Sequence, residues 1–253
     1  MTFSIVARDA VSGELAAATA TGGPAVGALV IQGRSGTRAI ATQALTNPLY
    51  GSRGLELLAG GLNAGQVLHR LLQEDDQCQR RQVLIIDNAG SSAHWSGRLC
   101  GPWFGSVAGT QVAVAGNMLV GAGVTGAMLD AFEKFSDLPL ADRVLAALHA
   151  AQQAGGDQRG IRSAALKVWH QRRYADIDLR VDWSDAPLEQ LAEVLKQVRA
   201  PAYADFFALY PQVFRRGRSF FRSARCYLSR RFSAMRIPQT IATASTTQKI
   251  RFR

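Results

Sequence analysis

Lysine is missing from the first 133 residues of this 253-residue chain; the first is Lys134. No lysine is therefore close in sequence to any early group. Cysteine is also scarce. Cys78, Cys100 and Cys226 are odd in number and widely spaced, with no CxxC pair. They fit neither a disulfide framework nor a zinc site, so a reducing cytoplasm is the expected compartment. The four histidines (His69, His94, His149, His170) show no HExxH or other ligand spacing, and no metal site is expected. No Walker A sequence is present, and the expectation is a protein without a cofactor. Long apolar runs are absent too. The most apolar later stretch, 112–129, follows Gln111 and contains Asn117 and several glycines. It reads as a strand, a turn and the start of a helix, so no transmembrane segment is expected. Arg8 and Asp9 interrupt the first apolar run before a signal peptide could form.

What is present is a neutral body with a basic end. The net charge of +10 sits in Pro201–Arg253, which holds eleven Lys plus Arg and one acid, Asp205. The first 200 residues carry 18 basic and 18 acidic side chains. A balanced body argues against a specific nucleic-acid-binding domain. The expected organisation is a domain over 1–200 and a basic, Arg-rich, poorly ordered extension over 201–253. Within the latter, the Arg-rich stretch from Phe214 to Arg231 with interleaved aromatics also suits an arm for an anionic polymer or membrane. The sharp break in composition fits residues read through in a shifted frame as well.

With 47% hydrophobic residues the body can bury a sizeable core. Residues 3–7 and 15–21 read as strands, as do 26–32 and 37–42, joined by short turns. Residues 54–60 and 64–75 have helical spacing, with Val67, Leu71 and Leu72 on one face and Asn63 as an N-cap. Strands follow over 82–87, 91–96 and 112–115. Helices are expected over 118–135 and 140–153, strands over 163–170 and 177–181, and a final helix over 187–198. Blocks of strands with paired helices point to layered α+β, with two antiparallel sheets between helix layers. Strict βαβ alternation is absent.

Thr2 follows the initiator Met and is small enough for Met1 to be removed. A free N-terminal threonine carries a nucleophilic hydroxyl and, on the same residue, an amine of reference pKa about 7.7–8.0 that serves as base. The competing reading is that the chain simply begins Met-Thr and Thr2 is an ordinary strand residue. Asn117 follows Gly116 after a strand. Its NH2 suits an oxyanion stabiliser, or equally a helix cap. Gln43 and Asn47 lie in a loop after a strand, where Asn47-Pro48 is also an ordinary turn signal. Tyr50 suits a pocket wall or plain packing. Arg159 and Arg162 flank a Gly-rich loop ahead of Ser163. Such arginines suit a substrate carboxylate, or a solvated loop. Asp178, Arg180 and Asp182 alternate as a solvent-facing charge row.

Five stretches are distinctive. They are 2–9 (TFSIVARD), 41–51 (ATQALTNPLYG) running into 53–58 (RGLELL), 114–118 (VAGNM), 155–160 (GGDQRG) running into 162–165 (RSAA), and 178–182 (DLRVD). Together they resemble the DUF1028 family of bacterial and archaeal proteins, placed by fold in the Ntn-hydrolase superfamily. The resemblance runs from Thr2 to about Val198. It implies a four-layer αββα sandwich with an N-terminal Thr at the end of a central strand. By superfamily analogy it implies amide hydrolysis through an acyl-enzyme on Thr2. The site set that follows is Thr2 and Asn117 as catalytic residues. Arg8, Gln43, Asn47, Arg159, Arg162 and Ser163 would contact a small-molecule or peptide-like substrate. The resemblance leaves room for a homo-oligomer, and for a catalytically silent protein that binds a small ligand or partner. The chain departs from the family at 21–24 (TGGP), where members often carry Ser-Lys and an apolar pair. Electrostatic help for Thr2 would then come from Arg8, Arg34, Arg38 or helix ends.

Overall fold

The inward residues of the central strands are apolar at one end and polar at the other, and this gradient positions the site. The computed structural model describes residues 2–35, 38–157 and 159–208. Six strands form one antiparallel sheet. They are β1 (Thr2–Arg8), β2 (Leu15–Thr21), β7 (Gly105–Gly109), β8 (Val112–Asn117), β9 (Ser163–Trp169) and β10 (Ile177–Val181). Their order is β10-β9-β2-β1-β8-β7, which makes β1 an interior strand. The smaller sheet has the order β3-β4-β5-β6, from β3 (Ile31–Arg34), β4 (Arg38–Ala44), β5 (Arg81–Asp87) and β6 (Ser92–Ser96).

Helices cover both outer faces. α3 (Gly123–Lys134), α4 (Leu140–Gln153) and α5 (Pro187–Arg199) pack on the large sheet, burying Phe3, Ile5, Val114, Leu166 and Phe132. α1 (Leu49–Ala59) and α2 (Ala64–Gln73) pack on the small sheet over Ile40, Val83 and Ile85. Asn63 caps α2: its side chain accepts from the Gln66 amide at 2.9 Å, and the Gln66 side chain accepts in return from the Asn63 amide at 3.0 Å. Between the sheets lies a third core of Val6, Leu15, Ala17, Ala41, Leu84 and Ile86. This is the αββα sandwich the family resemblance implied.

Four points differ from expectation. The apolar run 26–32 forms one turn of 3-10 helix (Val26–Ala28) before β3, not a single strand. Ala25 is left-handed at φ 53°, and the Val26 amide is held by the Ser163 hydroxyl at 3.2 Å. The run satisfies its apolar character by docking against β9, where the Arg180 and Ala165 side chains leave Gly27 no room for a Cβ. The helix expected from Met118 begins at Gly123, because Met118 is left-handed at φ 51° and Leu119 donates to the Trp103 carbonyl at 2.8 Å. β7, of sequence GSVAG, is an edge strand with too weak a signature to be expected. α6 (Pro201–Ala208) follows α5 past the boundary expected at residue 200. Residues 209–253 lie outside the described residues.

Candidate active site

Two rows of polar side chains face each other across the inter-sheet space at one end of the sandwich. Strand register sets both. In the large sheet Ser163 pairs with Thr21, Thr21 with Thr2, and Thr2 with Asn117. In the small sheet Gln43 pairs with Gln82, and Gln82 with Ser96. Side chains alternate across a strand. Inward positions therefore run Thr2–Ser4–Val6 along β1, Thr21–Thr19–Ala17 along β2, Asn117–Ala115–Ala113 along β8, Gln43–Ala41–Ala39 along β4 and Gln82–Leu84–Ile86 along β5. Each begins polar at this end and turns apolar.

The rows are joined by a hydrogen-bonded network almost closed to solvent. The Thr2 hydroxyl lies 3.1 Å from that of Thr21. Ser4 donates to Gln43 Oε1 at 2.5 Å, and its oxygen lies 2.8 Å from the Thr19 hydroxyl. Gln43 Nε2 donates to the Thr2 carbonyl at 3.3 Å and to Gln82 Oε1 at 2.8 Å. Asn117 Nδ2 donates to the same Gln82 oxygen at 2.9 Å. Gln82 Nε2 donates to the Gly116 carbonyl at 2.8 Å, Ser96 Oγ at 2.8 Å and the Gly105 carbonyl at 3.2 Å. Ser4, Thr19, Gln43, Gln82 and Asn117 are each 2% exposed or less. Burial of so many polar groups is tolerable only because they satisfy one another.

The backbone is strained just beyond this network. Ala44, next to Gln43, and Met118, next to Asn117, adopt φ 70° and 51°. A left-handed non-glycine residue costs about 1–3 kcal/mol and persists only where its surroundings enforce it. Past Thr21 the chain is clamped from the other side. Gly22 donates its amide to Asp157 Oδ2 at 2.8 Å, and the Ser163 hydroxyl donates to the Gly23 carbonyl at 2.7 Å. The Asp157 carboxylate is buried, with Arg159 paired to it at 3.1 Å. Burial alone would raise its pKa. The Arg159 side-chain and amide donors and the Gly22 amide outweigh this and hold it below the ordinary value.

The family model for DUF1028, a family of unknown function, matches residues 2–191. The chain belongs to the DUF1028 family. The crystal structure of protein SPO2555 from Silicibacter pomeroyi, itself described as DUF1028, is 33% identical. It covers 83% of this chain and 95% of its own, with a TM-score of 0.78. Anbu (ancestral beta-subunit) from Yersinia bercovieri is 13% identical over 84% of this chain and all of its own, with a TM-score of 0.39. That likeness is too low to bear on fold or function. No curated protein matches.

The DUF1028 stretches converge on this end only in part. Thr2, Gln43, Asn117 and Ser163 share the two rows, and Arg159 joins through Asp157. Asn117 is not a helix cap; it ends β8 and turns its amide to Gln82. Ser163 pins the 22–26 turn. Arg8 lies at the far end of β1, about 20 Å away by strand rise, and donates to Gln111 Oε1 at 2.6 Å. It does not pair with Asp9, which pairs with Arg143 at 3.5 Å. Asn47 turns towards Asp75 at 3.4 Å and accepts from the Leu49 amide at 3.1 Å in the turn that leads into α1. Tyr50 packs into the core under α1 and α2. Arg162 pairs with Asp185 and lies over Trp183, while its amide donates to the Thr21 carbonyl at 2.8 Å. Arg180 pairs with Asp182 at 2.8 Å, in keeping with a charge row. Arg34 and Arg38 pair across β3 and β4 at the end remote from Gln43. None of the three arginines expected to assist Thr2 is at its end of the sheet.

Ser4, Thr19, Gln82 and Asp157 were not anticipated from sequence. For the first three the signal was available: a polar residue at the inward parity of an otherwise apolar strand. A GxGxxG spacing at Gly121–Gly126, also unanticipated, follows β8 and opens α3. β8 is antiparallel to both neighbours, so the spacing lacks the βαβ unit of a dinucleotide site. Among the described residues, no group of three or more His, Cys, Asp or Glu is disposed to hold a metal. Nor is any helix there long and apolar enough to cross a membrane.

Proposed function

We propose that this DUF1028 protein is an N-terminal-nucleophile amidohydrolase acting on a small or peptide-like amide through a Thr2 acyl-enzyme. The observation that carries this is the placement of Thr2. It opens an interior strand, its hydroxyl at the polar end of the sandwich, with Thr21 and Asn117 in register on either side. A rigid sheet terminus with hydroxyl and amide donors beside it is what a nucleophile needs.

Removal of Met1 frees the Thr2 amine. The amine takes the hydroxyl proton as Oγ bonds to the amide carbon. The carbonyl oxygen becomes an oxyanion, stabilised by the Asn117 NH2. The ammonium returns the proton to the leaving nitrogen as the C–N bond breaks, leaving an ester on Oγ. Water, deprotonated by the same amine, then attacks that ester, and the ammonium returns the proton to Thr2 Oγ as the C–O bond breaks and the acid leaves. Arg159, 53% exposed beside the Gly22 turn, offers a guanidinium to a substrate carboxylate.

The competing reading is a silent Ntn-fold protein that binds a ligand. It is favoured by the absence of lysine before Lys134 and the remoteness of Arg8, Arg34 and Arg38. Two measurements separate them. Intact mass should show loss of one Met, and an alkyne β-lactone should label Thr2, faster as pH rises through about 7–8. Retained Met1, or equal labelling of Thr2→Ala, would end the enzyme reading.

A further inference from the structure

Asn117 is held by one bond to a residue that touches neither Thr2 nor any substrate position. That residue, Gln82, is fully buried on the interior strand β5 of the small sheet. Its side chain crosses to the large sheet and docks on two carbonyls there, those of Gly116 and Gly105, which are themselves register partners on β8 and β7.

We propose that Gln82 is a positioning residue of the acyl-transfer site, fixing the Asn117 amide and, through Gln43, the Thr2 carbonyl. This rests on the Thr2 reading above. The geometry leaves Gln82 one orientation. Its Oε1 has two lone pairs, taken by Gln43 Nε2 at 2.8 Å and Asn117 Nδ2 at 2.9 Å. Its two Nε2 hydrogens serve Gly116 O, Ser96 Oγ and, by sharing, Gly105 O. Rotating the amide by half a turn would set N–H against N–H on one side and oxygen against carbonyl on the other. Ser96 in turn donates to Ser106 at 3.0 Å, and Ser106 meets His94 Nδ1 at 2.7 Å, so the far end of Gln82 is anchored as well.

The consequence for Asn117 follows from the planarity of an amide. An NH2 group carries two donors in a fixed plane. With one committed to Gln82, the direction of the other is set. The same oxygen that orients Asn117 also holds Gln43, whose Nε2 reaches the Thr2 carbonyl at 3.3 Å. One acceptor thus couples the nucleophile's own residue to the group that would receive the oxyanion. A single carboxylate here would keep both acceptor bonds but lose the two donor bonds. A hydrocarbon would lose all of them.

The test uses the full chain, with ¹⁵N-labelled protein and the alkyne β-lactone. The Asn117 side-chain NH2 pair is assigned by its loss in Asn117→Asp. In the wild type it should be well separated and slow to exchange. Gln82→Leu should bring the pair to free-amide positions and slow Thr2 labelling about 10- to 100-fold, the cost of misplacing a reacting group by about an ångström. Gln82→Glu should keep the pair ordered. A buried carboxyl titrates high, and its protonated form regains a donor, so the labelling of Gln82→Glu relative to wild type should climb as pH falls from 8 to 5. A packing role alone does not produce that trend. If Gln82→Leu does not fold, Gln82→Glu and Gln82→Met carry the decision. Unchanged Asn117 resonances with labelling within twofold of wild type would overturn the proposal. If the wild type does not label at Thr2, the nucleophile reading fails separately, and the Asn117 resonances still judge Gln82.

Discussion

Gly22 stands in the stretch where the family resemblance leads us to expect a lysine, and its surroundings leave no room for a side chain. A Cβ added at Gly22 would lie 2.7 Å from Asp157 Oδ2 and 2.8 Å from the Gly160 carbonyl. The second of these is backbone and cannot swing away. Gly22→Lys should therefore not install a catalytic cation. It should displace Asp157 from the Gly22 amide and destabilise the fold by about 1–3 kcal/mol, the usual cost of overpacking. Urea unfolding measures this, and an unchanged midpoint would show that the 157–160 turn yields freely. The same residue marks how far the site was legible. Thr2, Asn117 and Gln43 were singled out from distinctive stretches, and the fold brings them to one end of the sandwich. Gln82 escaped because it lies inside an apolar strand, and Asp157, although in the distinctive stretch 155–160, because it follows a Gly-Gly pair that reads as a helix stop. Arg8 was misplaced for a different reason. Closeness in sequence to Thr2 is distance in space when the intervening residues form an extended strand.

Between elements, Asp75 joins the end of α2 to the start of β5. Arg81 Nε meets its carboxylate at 2.9 Å, both side chains 11% exposed, and the Gln77 amide donates at 2.8 Å. Burial raises the Asp75 pKa, but the Arg81 and Gln77 donors outweigh it and bring it to about 2. The folded value thus lies below the unfolded value of about 3.9, so the group stabilises the fold above the unfolded pKa. The contribution is lost as pH falls from about 4 to about 2. The shift corresponds to on the order of 2 kcal/mol, trimmed to about 1–2 by solvent near the surface. Asp75→Asn should lower neutral stability by that amount and flatten the acid limb of the stability curve over pH 4 to 2. An unaltered acid limb would mean that Asp75 does not carry it. At this scale the sequence was read well wherever periodicity was strong, as in β1, β2, β5, α2 and α4. It misled at 26–32 and 118–122, where a left-handed alanine and a left-handed methionine redirect the chain. Neither residue type announces that conformation, because both owe it to contacts with distant strands.

At the scale of the molecule, charge and fold divide at nearly the same point. Every basic residue of the tail lies after Val213, where the first compact unit of the chain ends. The core clusters that hold the sandwich together draw on residues 3–195. A chain ending at Val213 should on this ground melt within about 2 °C of the full protein, since about 1 kcal/mol moves a domain of this size by roughly 2–4 °C. It should also retain Thr2 labelling. Its behaviour towards anionic polymers should change completely. The truncated body is close to neutral, so retention on heparin should vanish. The full chain, with eleven cations beyond the boundary, should bind with an affinity that falls steeply with salt. These two readouts separate the roles of the parts. A large loss of melting temperature on truncation would make the tail integral to the fold. Salt-dependent binding that survived Thr2→Ala and disappeared on truncation would assign polymer binding to the tail alone.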